Sequence, residues 1–344
     1  MKNINIFKSN NCYSSFPSIA RINSKHLMIT FRVAGEKSVN AALNNLTTHH
    51  SLDSKIATIE SFDNGLTWSD ETLKFIFNEK DVSVNDPAIT VLKNGDIYIR
   101  FTKIRTLTTG NVKNKQENII SFREEHSQLS SALGNYFIVS KDIGKSWSDP
   151  VFMDLGEQKF SFSREPIIEL ADGSMIFSFY RGAPERTDES FIAHSFDSGY
   201  TWQKPYKLFS DPSGSYSEYS GINFNETAVL ALGKGSIIAI ARGDENFTDE
   251  NNGFMQVGGI GNLYLSYSNN GGISWYPHKK TNMWGQPAHL IHLNDGRILC
   301  TYGYRKKPYG VRASISNDHG KTWQDEVVIR NDGKGWDLGY TSSV

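Results

Sequence analysis

The residues whose sequence settings suggest proton transfer or anion binding lie far apart in this chain. His49 and His50 stand just before Asp53. Asp86 precedes Pro87, and Arg164-Glu165 precede Pro166. Glu226 and Arg242 are sixteen positions apart. Arg305 and Arg312 bracket a Lys-Lys-Pro-Tyr-Gly-Val stretch, Arg21 and Arg32 lie early, and Tyr340 lies late. An imidazole titrates near neutral pH and can donate a proton, as can a carboxyl group. A guanidinium is permanently charged and holds a carboxylate through two parallel hydrogen bonds. The histidine pair lacks a third ligand at helix or hairpin spacing, so no zinc site is expected. Any joint chemistry among these groups requires a fold that gathers them.

That fold is announced by a repeat. The eight-residue pattern Ser-x-Asp-x-Gly-x-Ser/Thr-Trp reads SFDNGLTW from Ser61, SKDIGKSW from Ser140 and SFDSGYTW from Ser195. It returns as SNNGGISW from Ser268, with Asn270 for Asp, and as SNDHGKTW from Ser316. The Asp or Asn side chain can accept hydrogen bonds from the turn's own N–H groups. The glycine supplies a positive φ. A second repeat runs in phase with it: two apolar strands joined by a turn, at 17–32, 87–101, 166–180, 227–242 and 287–303. One such hairpin plus one box hairpin makes a four-stranded unit, and radial repetition of such units makes a propeller. The expected fold is an all-β, six-bladed β-propeller filling 1–344 as a single domain. Its sixth blade would begin at Tyr340-Thr-Ser-Ser-Val and be incomplete, with Ile4 to Phe7 as a completing strand. Polar stretches at 103–135 and 243–261 interrupt the repeat.

Composition narrows the partners. The chain has 36 Lys+Arg and 37 Asp+Glu, a net charge of -1, so no basic face for nucleic acid is expected. A local positive site for an anionic ligand is compatible with that balance. There is no apolar run long enough for a membrane span and no apolar signal region near the first residue, so a cytoplasmic location is expected for the chain as given. Cys12 and Cys300 do not make a disulfide framework and read as thiols.

With its Asp boxes, the chain resembles the sialidase (neuraminidase) superfamily over nearly its whole length. In that family the boxes are structural and lie away from the active site. The resemblance implies a sialidase-type propeller and an exo-acting glycoside hydrolase cleaving a terminal sialic acid or related acidic sugar, with no metal or cofactor and a carbohydrate partner. Asn225-Glu226 and Arg242 match a family segment of the same spacing. Glu226 is thereby implied as the base that activates the nucleophile, and Arg242 as one arginine of the cluster holding the substrate carboxylate. Gly339-Tyr340-Thr-Ser-Ser-Val is similar to the segment carrying the family's tyrosine nucleophile, which implies Tyr340 in that role. A tyrosine avoids the repulsion that a carboxylate nucleophile would feel from an acidic sugar. Asp53 is implied as the acid/base, with His49 and His50 as further proton donors. Arg305 and Arg312 stand near the family's third arginine. Arg164 and Asp86, at strand starts, are implied substrate contacts. The chain departs from the family at its first arginine: the matching stretch Ser14-Ser15-Phe16-Pro17-Ser18 has Ser15 there, with Arg21 or Arg32 as replacements from nearby strands. That departure leaves open a glycosidase or lyase with another sugar substrate, or a non-catalytic glycan-binding propeller.

Overall fold

A computed structural model describes residues 3–35, 51, 53–108, 119–123, 128–158, 161–183, 186–211, 221–245, 248–249, 253–254, 260–335 and 338–344. His49 and His50 lie outside them. The described residues fall into two compact units, Met1–Met153 with Val344, and Asp154–Ser343.

The first unit holds two antiparallel sheets. One runs β1 (Tyr13–Arg21), β2 (Leu27–Ala34), β3 (Lys55–Ser61), β4 (Lys74–Phe77). The other contains β5 (Val82–Val91), β6 (Ile97–Thr108), β7 (Ile119–Arg123), β8 (Gln128–Ser140) and β9 (Val151–Phe152), ordered β5-β6-β8-β7 with β9 also on β8. The second unit holds three four-stranded sheets. They are β10 (Ile168–Glu169), β11 (Met175–Ala183), β12 (Arg186–Ser195), β13 (Tyr206–Phe209); then β14 (Ile222–Gly233), β15 (Ser236–Glu245), β18 (Ile260–Ser268), β19 (Lys279–Trp284); then β20 (Ala288–His292), β21 (Ile298–Tyr304), β22 (Gly310–Ser316), β23 (Val327–Arg330). A small ribbon, β16 (Thr248–Asp249) with β17 (Gly253–Phe254), sits in the connection between β15 and β18.

The expected hairpins are β1-β2, β5-β6, β10-β11, β14-β15 and β20-β21, all antiparallel. The all-β propeller class holds, but the blades number five among the described residues, not six. The segment Leu338–Val344 carries no strand. Instead, Thr341 Oγ1 donates to the Thr301 carbonyl at 3.0 Å, and the segment packs on β21. Ile4 to Phe7 is likewise not a strand; Ile6 and Phe7 cover the apolar cluster of Ile29, Phe31 and Ile59 in the first sheet. Each blade carries one Asp box, and there is no sixth box to build a sixth blade around.

Each box joins the third and fourth strands of its blade. In the first, Asp63 Oδ1 accepts from the Thr67 amide at 2.9 Å and Oδ2 from the Thr67 hydroxyl at 2.5 Å, while Ser61 Oγ accepts from the Gly65 amide at 2.9 Å. The same set recurs at Asp142, Asp197 and Asp318; at Asn270, Oδ1 likewise accepts from the Ser274 amide, but Nδ2 donates to the Ser274 hydroxyl at 2.8 Å. The hydroxyl and amide of Thr67 hold the Asp63 carboxyl down to about 2. Glycine suits Gly144 because φ is +77°, and a Cβ there would also displace the terminal methyl of Met28, 2.7 Å away. Buried Ile, Val, Leu and Phe side chains fill the space between blades, for example Met28, Val84, Ile97 and Phe101 in the first unit and Ile238, Leu263, Leu290 and Cys300 in the second. Burial pushes the Cys300 thiol up, so it remains protonated.

The feature that positions the chemistry is a bulge in the first strand of three blades. Pairing skips between Ser15 and Ser18, between Asn85 and Ala88, and between Asn225 and Ala228. The first skipped residue has positive φ each time: Phe16 at 54°, Asp86 at 51° and Glu226 at 37°. These are strained values for residues with a Cβ, and such bulges re-aim a side chain.

Candidate functional site

In the second unit the bulge turns Glu226 beside the guanidinium of Arg242, whose strand partner is Asn225. The sixteen-residue spacing is the length of one β14-β15 hairpin. Arg242 Nη1 donates to Glu226 Oε2 at 2.8 Å, and Arg242 Nε lies 2.8 Å from Asp244 Oδ2. Tyr340 hydrogen-bonds the Glu226 carboxylate. Its ring lies 5.8 Å from the guanidinium carbon of Arg164 and 5.7 Å from that of Arg305. Thus Tyr340, Glu226, Arg242, Arg305 and Arg164, chosen from sequence positions up to 176 residues apart, meet in one cluster.

The backbone around Tyr340 is held by the same arginines. Arg164 Nη2 donates to the Thr341 carbonyl at 2.6 Å, Nη1 donates to the Ala288 carbonyl at 2.7 Å, and Nη1 also meets Glu165 Oε1 at 2.9 Å. Arg305 Nε donates to the Leu338 carbonyl at 3.1 Å. Gly303 and Gly339 let the two chains touch, since a Cβ on Gly339 would lie 2.2 Å from the Gly303 Cα. A segment without strand pairing is thereby fixed by charged side chains.

Electrostatics divide the acids. Burial pushes the Glu226 carboxyl up, but Arg242, Arg305 and the Tyr340 hydroxyl outweigh it, and the group is held below its ordinary value. Asp188 behaves oppositely: burial lifts it to about 7, against a hydrogen bond from Asn225 Nδ2 at 3.3 Å, with Asp244 and Glu226 adding to the rise. Arg242 is raised well above its ordinary value because Asp244, Glu226 and Tyr340 outweigh its burial. An ionised Glu226 can accept a proton from Tyr340, and the guanidinium groups favour the negative oxygen so formed.

Two members of this cluster were not read from the sequence. Asp244 lies two residues beyond Arg242, on the same face of β15 by strand alternation, and that period was a usable signal. Asp188 had none: its amide donates to Asn223 Oδ1 at 2.8 Å, a contact between β12 and β14.

In the first unit Arg32 pairs with Ser15 as Arg242 pairs with Asn225. Arg32 Nη1 lies 3.4 Å from Ser15 Oγ. Of the two arginines named from the sequence, Arg32 is the one whose guanidinium lies beside the Ser15 side chain. Arg21 donates to Asn64 Oδ1 at 2.7 Å, at the first Asp box. Arg32 is fully buried, and burial lowers it to about 10, with Asp86, Tyr13 and Asp53 opposing. Burial is the largest single effect on the Asp53 carboxyl and pushes it up, but the Ser51 hydroxyl, the Gly35 backbone and Arg32 together hold it below its ordinary value. Asp53 and Asp86 thus share Arg32 as an electrostatic partner.

Arg312 stands apart from both clusters. Its guanidinium donates to the Arg330 carbonyl at 2.6 Å and lies 4.2 Å from the centre of the Tyr304 ring, within the last blade. Among the described residues no group of three or more His, Cys, Asp or Glu side chains could hold a metal ion. None of their helices is long and apolar enough to cross a membrane.

Comparison with known proteins places the fold. No curated protein matches the chain. A protein of unknown function from Dyadobacter fermentans superposes with a TM-score of 0.79 at 24% identity, over 98% of this chain and 88% of that one. The NanB sialidase of Streptococcus pneumoniae superposes with a TM-score of 0.64 at 16% identity, over 98% of this chain but 65% of that one, so the chain spans less than two thirds of that enzyme. A polysaccharide lyase described as an ulvan lyase follows at 0.53 and 14%, over 93% and 74%. At these identities the likeness is one of fold. The family model described as a BNR repeat-like domain matches residues 111–344, more than half of the chain. The box repeats, the five blades and this match agree: the chain belongs to the BNR repeat-like domain family.

Proposed function

We propose that the chain is an exo-acting glycoside hydrolase that removes a terminal sialic acid or related acidic sugar. The observation that carries this reading is the hydrogen bond between Tyr340 and an ionised Glu226, with Arg164, Arg242 and Arg305 around them. Glu226 takes the phenol proton as the Tyr340 oxygen attacks the anomeric carbon. The bond from that carbon to the leaving oxygen breaks, and a general acid returns a proton to the departing oxygen. Water then attacks the glycosyl-tyrosine and the phenol is regenerated, with net retention of configuration. The arginines hold the sugar carboxylate. Asp53 is assigned as the general acid; a substrate carboxylate close to it would raise its pKa and load it with the proton it must give.

A second reading is a lyase on the same scaffold. It is favoured by Asp244, which already occupies one edge of Arg242, and by Ser15 in the motif position of an arginine. Tyr340 would then remove the proton next to a uronate carboxylate.

Turnover of a fluorogenic α-sialoside, of other acidic-sugar glycosides and of a uronate polysaccharide, each with Tyr340→Phe as control, tests both. Release of the fluorophore by the parent chain and none by Tyr340→Phe is the expected result. An unsaturated product from the polysaccharide alone selects the lyase. Unchanged turnover in Tyr340→Phe rejects the nucleophile. Glycan binding without any turnover identifies a binding propeller.

A further inference from the structure

A cleft lies in the same unit beside β21. Tyr304 is the last residue of that strand and Arg305 follows it. Arg305 goes to the Tyr340 ring, while Tyr304 lines this cleft of about 400 Å³ between β19 and the last blade. That volume is within the range of about 300–1,000 Å³ typical of small-molecule sites. Tyr304 also sits at a repeated position. It is two residues beyond Tyr302, the partner of Ala288, as Arg242 is two residues beyond Ile240, the partner of Ala228. Where the preceding blade has a cation, this blade has an aromatic ring.

The lining of the cleft mixes aromatic and polar residues. Trp284 and Tyr304 meet edge to face at 5.3 Å between ring centres, and Lys306 Nζ lies 4.0 Å from the Trp284 ring centre. Asn282, Gln324, Asp325 and Glu326 complete the lining with amides and carboxylates. The Tyr302 hydroxyl is within 3.1 Å of Ser314 Oγ and donates to Glu326 Oε2 at 3.5 Å. The charged lining groups are the carboxylates of Asp325 and Glu326, with Arg312 Nε 3.6 Å from Glu326 Oε1. Carboxylates disfavour an anionic ligand, and a lining that combines them with amides and amphipathic rings matches a polyhydroxylated, uncharged ligand. Carboxylates and amides take and give hydrogen bonds to vicinal hydroxyls, and rings cover the apolar C–H faces.

We infer that the cleft lined by Trp284, Tyr304, Gln324 and Asp325 is a binding site for a neutral saccharide unit, distinct from the arginine cluster around Tyr340. This assignment does not rest on the hydrolytic reading, because binding there needs no turnover.

The test is calorimetric titration of the full chain with lactose, maltose and cellobiose, and with glucuronate as the anionic probe. At least one neutral disaccharide is expected to bind with a millimolar Kd that is unchanged by added salt, since no ion pair forms. Trp284→Ala is expected to weaken it at least about tenfold, or about 1.4 kcal/mol. Gln324→Ala and Asp325→Ala, on exposed positions where folding is not at stake, are expected to weaken it several-fold. Tyr340→Phe is expected to bind as the parent does. Absence of binding by all three disaccharides overturns the inference. So does binding that Tyr340→Phe abolishes and the Gln324 and Asp325 variants leave intact, which would place the sugar at the arginine cluster.

Discussion

Arg32 in the first unit and Arg242 in the second occupy the same place in their blades, each paired with the residue just before a bulge. Their surroundings drive them apart. Arg32 is fully buried, and burial dominates, bringing it down to about 10. Arg242 is only partly buried, and carboxylate oxygens of Glu226 and Asp244 lie 2.8 Å from its nitrogens and raise it. The backbone device is shared, so what a blade does chemically depends on which side chains the bulge brings to the guanidinium. In one unit that is a close ion pair with a tyrosine on it. In the other it is an arginine whose nitrogen reaches the hydroxyl of Ser15.

The comparison is sharpest in activity. On the substrate that the parent chain turns over, Glu226→Gln is expected to reduce kcat by about 10²–10⁴-fold, the usual worth of a general base. Asp86→Asn, at the matching bulge, is expected to lose only about tenfold in kcat/KM, about 1.4 kcal/mol. Equal losses at the two bulges would mean that the units contribute the same chemistry.

Stability should divide the arginines next. Arg242→Ala leaves the buried Glu226 carboxylate and the partly buried Asp244 carboxylate without their cation and is expected to cost about 3 kcal/mol in denaturant unfolding. Arg32→Met fills the same space with apolar atoms and is expected to cost less, about 0.5–3 kcal/mol. The reverse order would show that Arg32, not Arg242, holds the more tightly coupled charge.

A smaller effect is a pH dependence confined to the second unit. The Asp188 carboxyl is raised from 3.8 to about 7 in the folded chain, so the folded state binds more protons than the unfolded one between those values. The contribution of Asp188 to stability is therefore complete below 3.8 and is lost as the pH rises through 7. Asp188→Asn should flatten the fall in Tm over that window; an unchanged slope would assign the fall to other groups.

The smallest effect lies at the Asp boxes, where the sign reverses. Asp63 is depressed from 3.8 to about 2. Its contribution is present above 3.8 and lost as the pH falls through 2. Asp63→Ala should lower Tm slightly at neutral pH, and the difference from the parent should vanish near pH 2.

Much of this was legible before folding. The boxes and the in-phase hairpins specify the blades because each rests on local rules: a carboxylate over turn amides, a glycine at positive φ, and a period of two. The blade count was misjudged at Tyr340-Thr-Ser-Ser-Val, where a strand-like run is held by Arg164 and Thr301 and not by a strand partner. The Glu226–Arg242 pair was legible because its spacing is one hairpin. Asp188 was not, because it approaches through Asn223 and Asn225 from another blade. The partner of Arg312 is not legible either, because nothing local says that its guanidinium turns to the Arg330 carbonyl.

The sequence by itself determined the repeated all-β blade, the turn chemistry of the five boxes and the one-hairpin spacing that joins Glu226 to Arg242. Only the tertiary structure decided how many blades there are, that Arg32 lies beside the Ser15 side chain, and that Asp188 keeps its proton near neutral pH. The physical reason is range. Turns and hairpins follow from neighbours along the chain, whereas burial and charge pairing depend on residues that come close only after the sheets have packed.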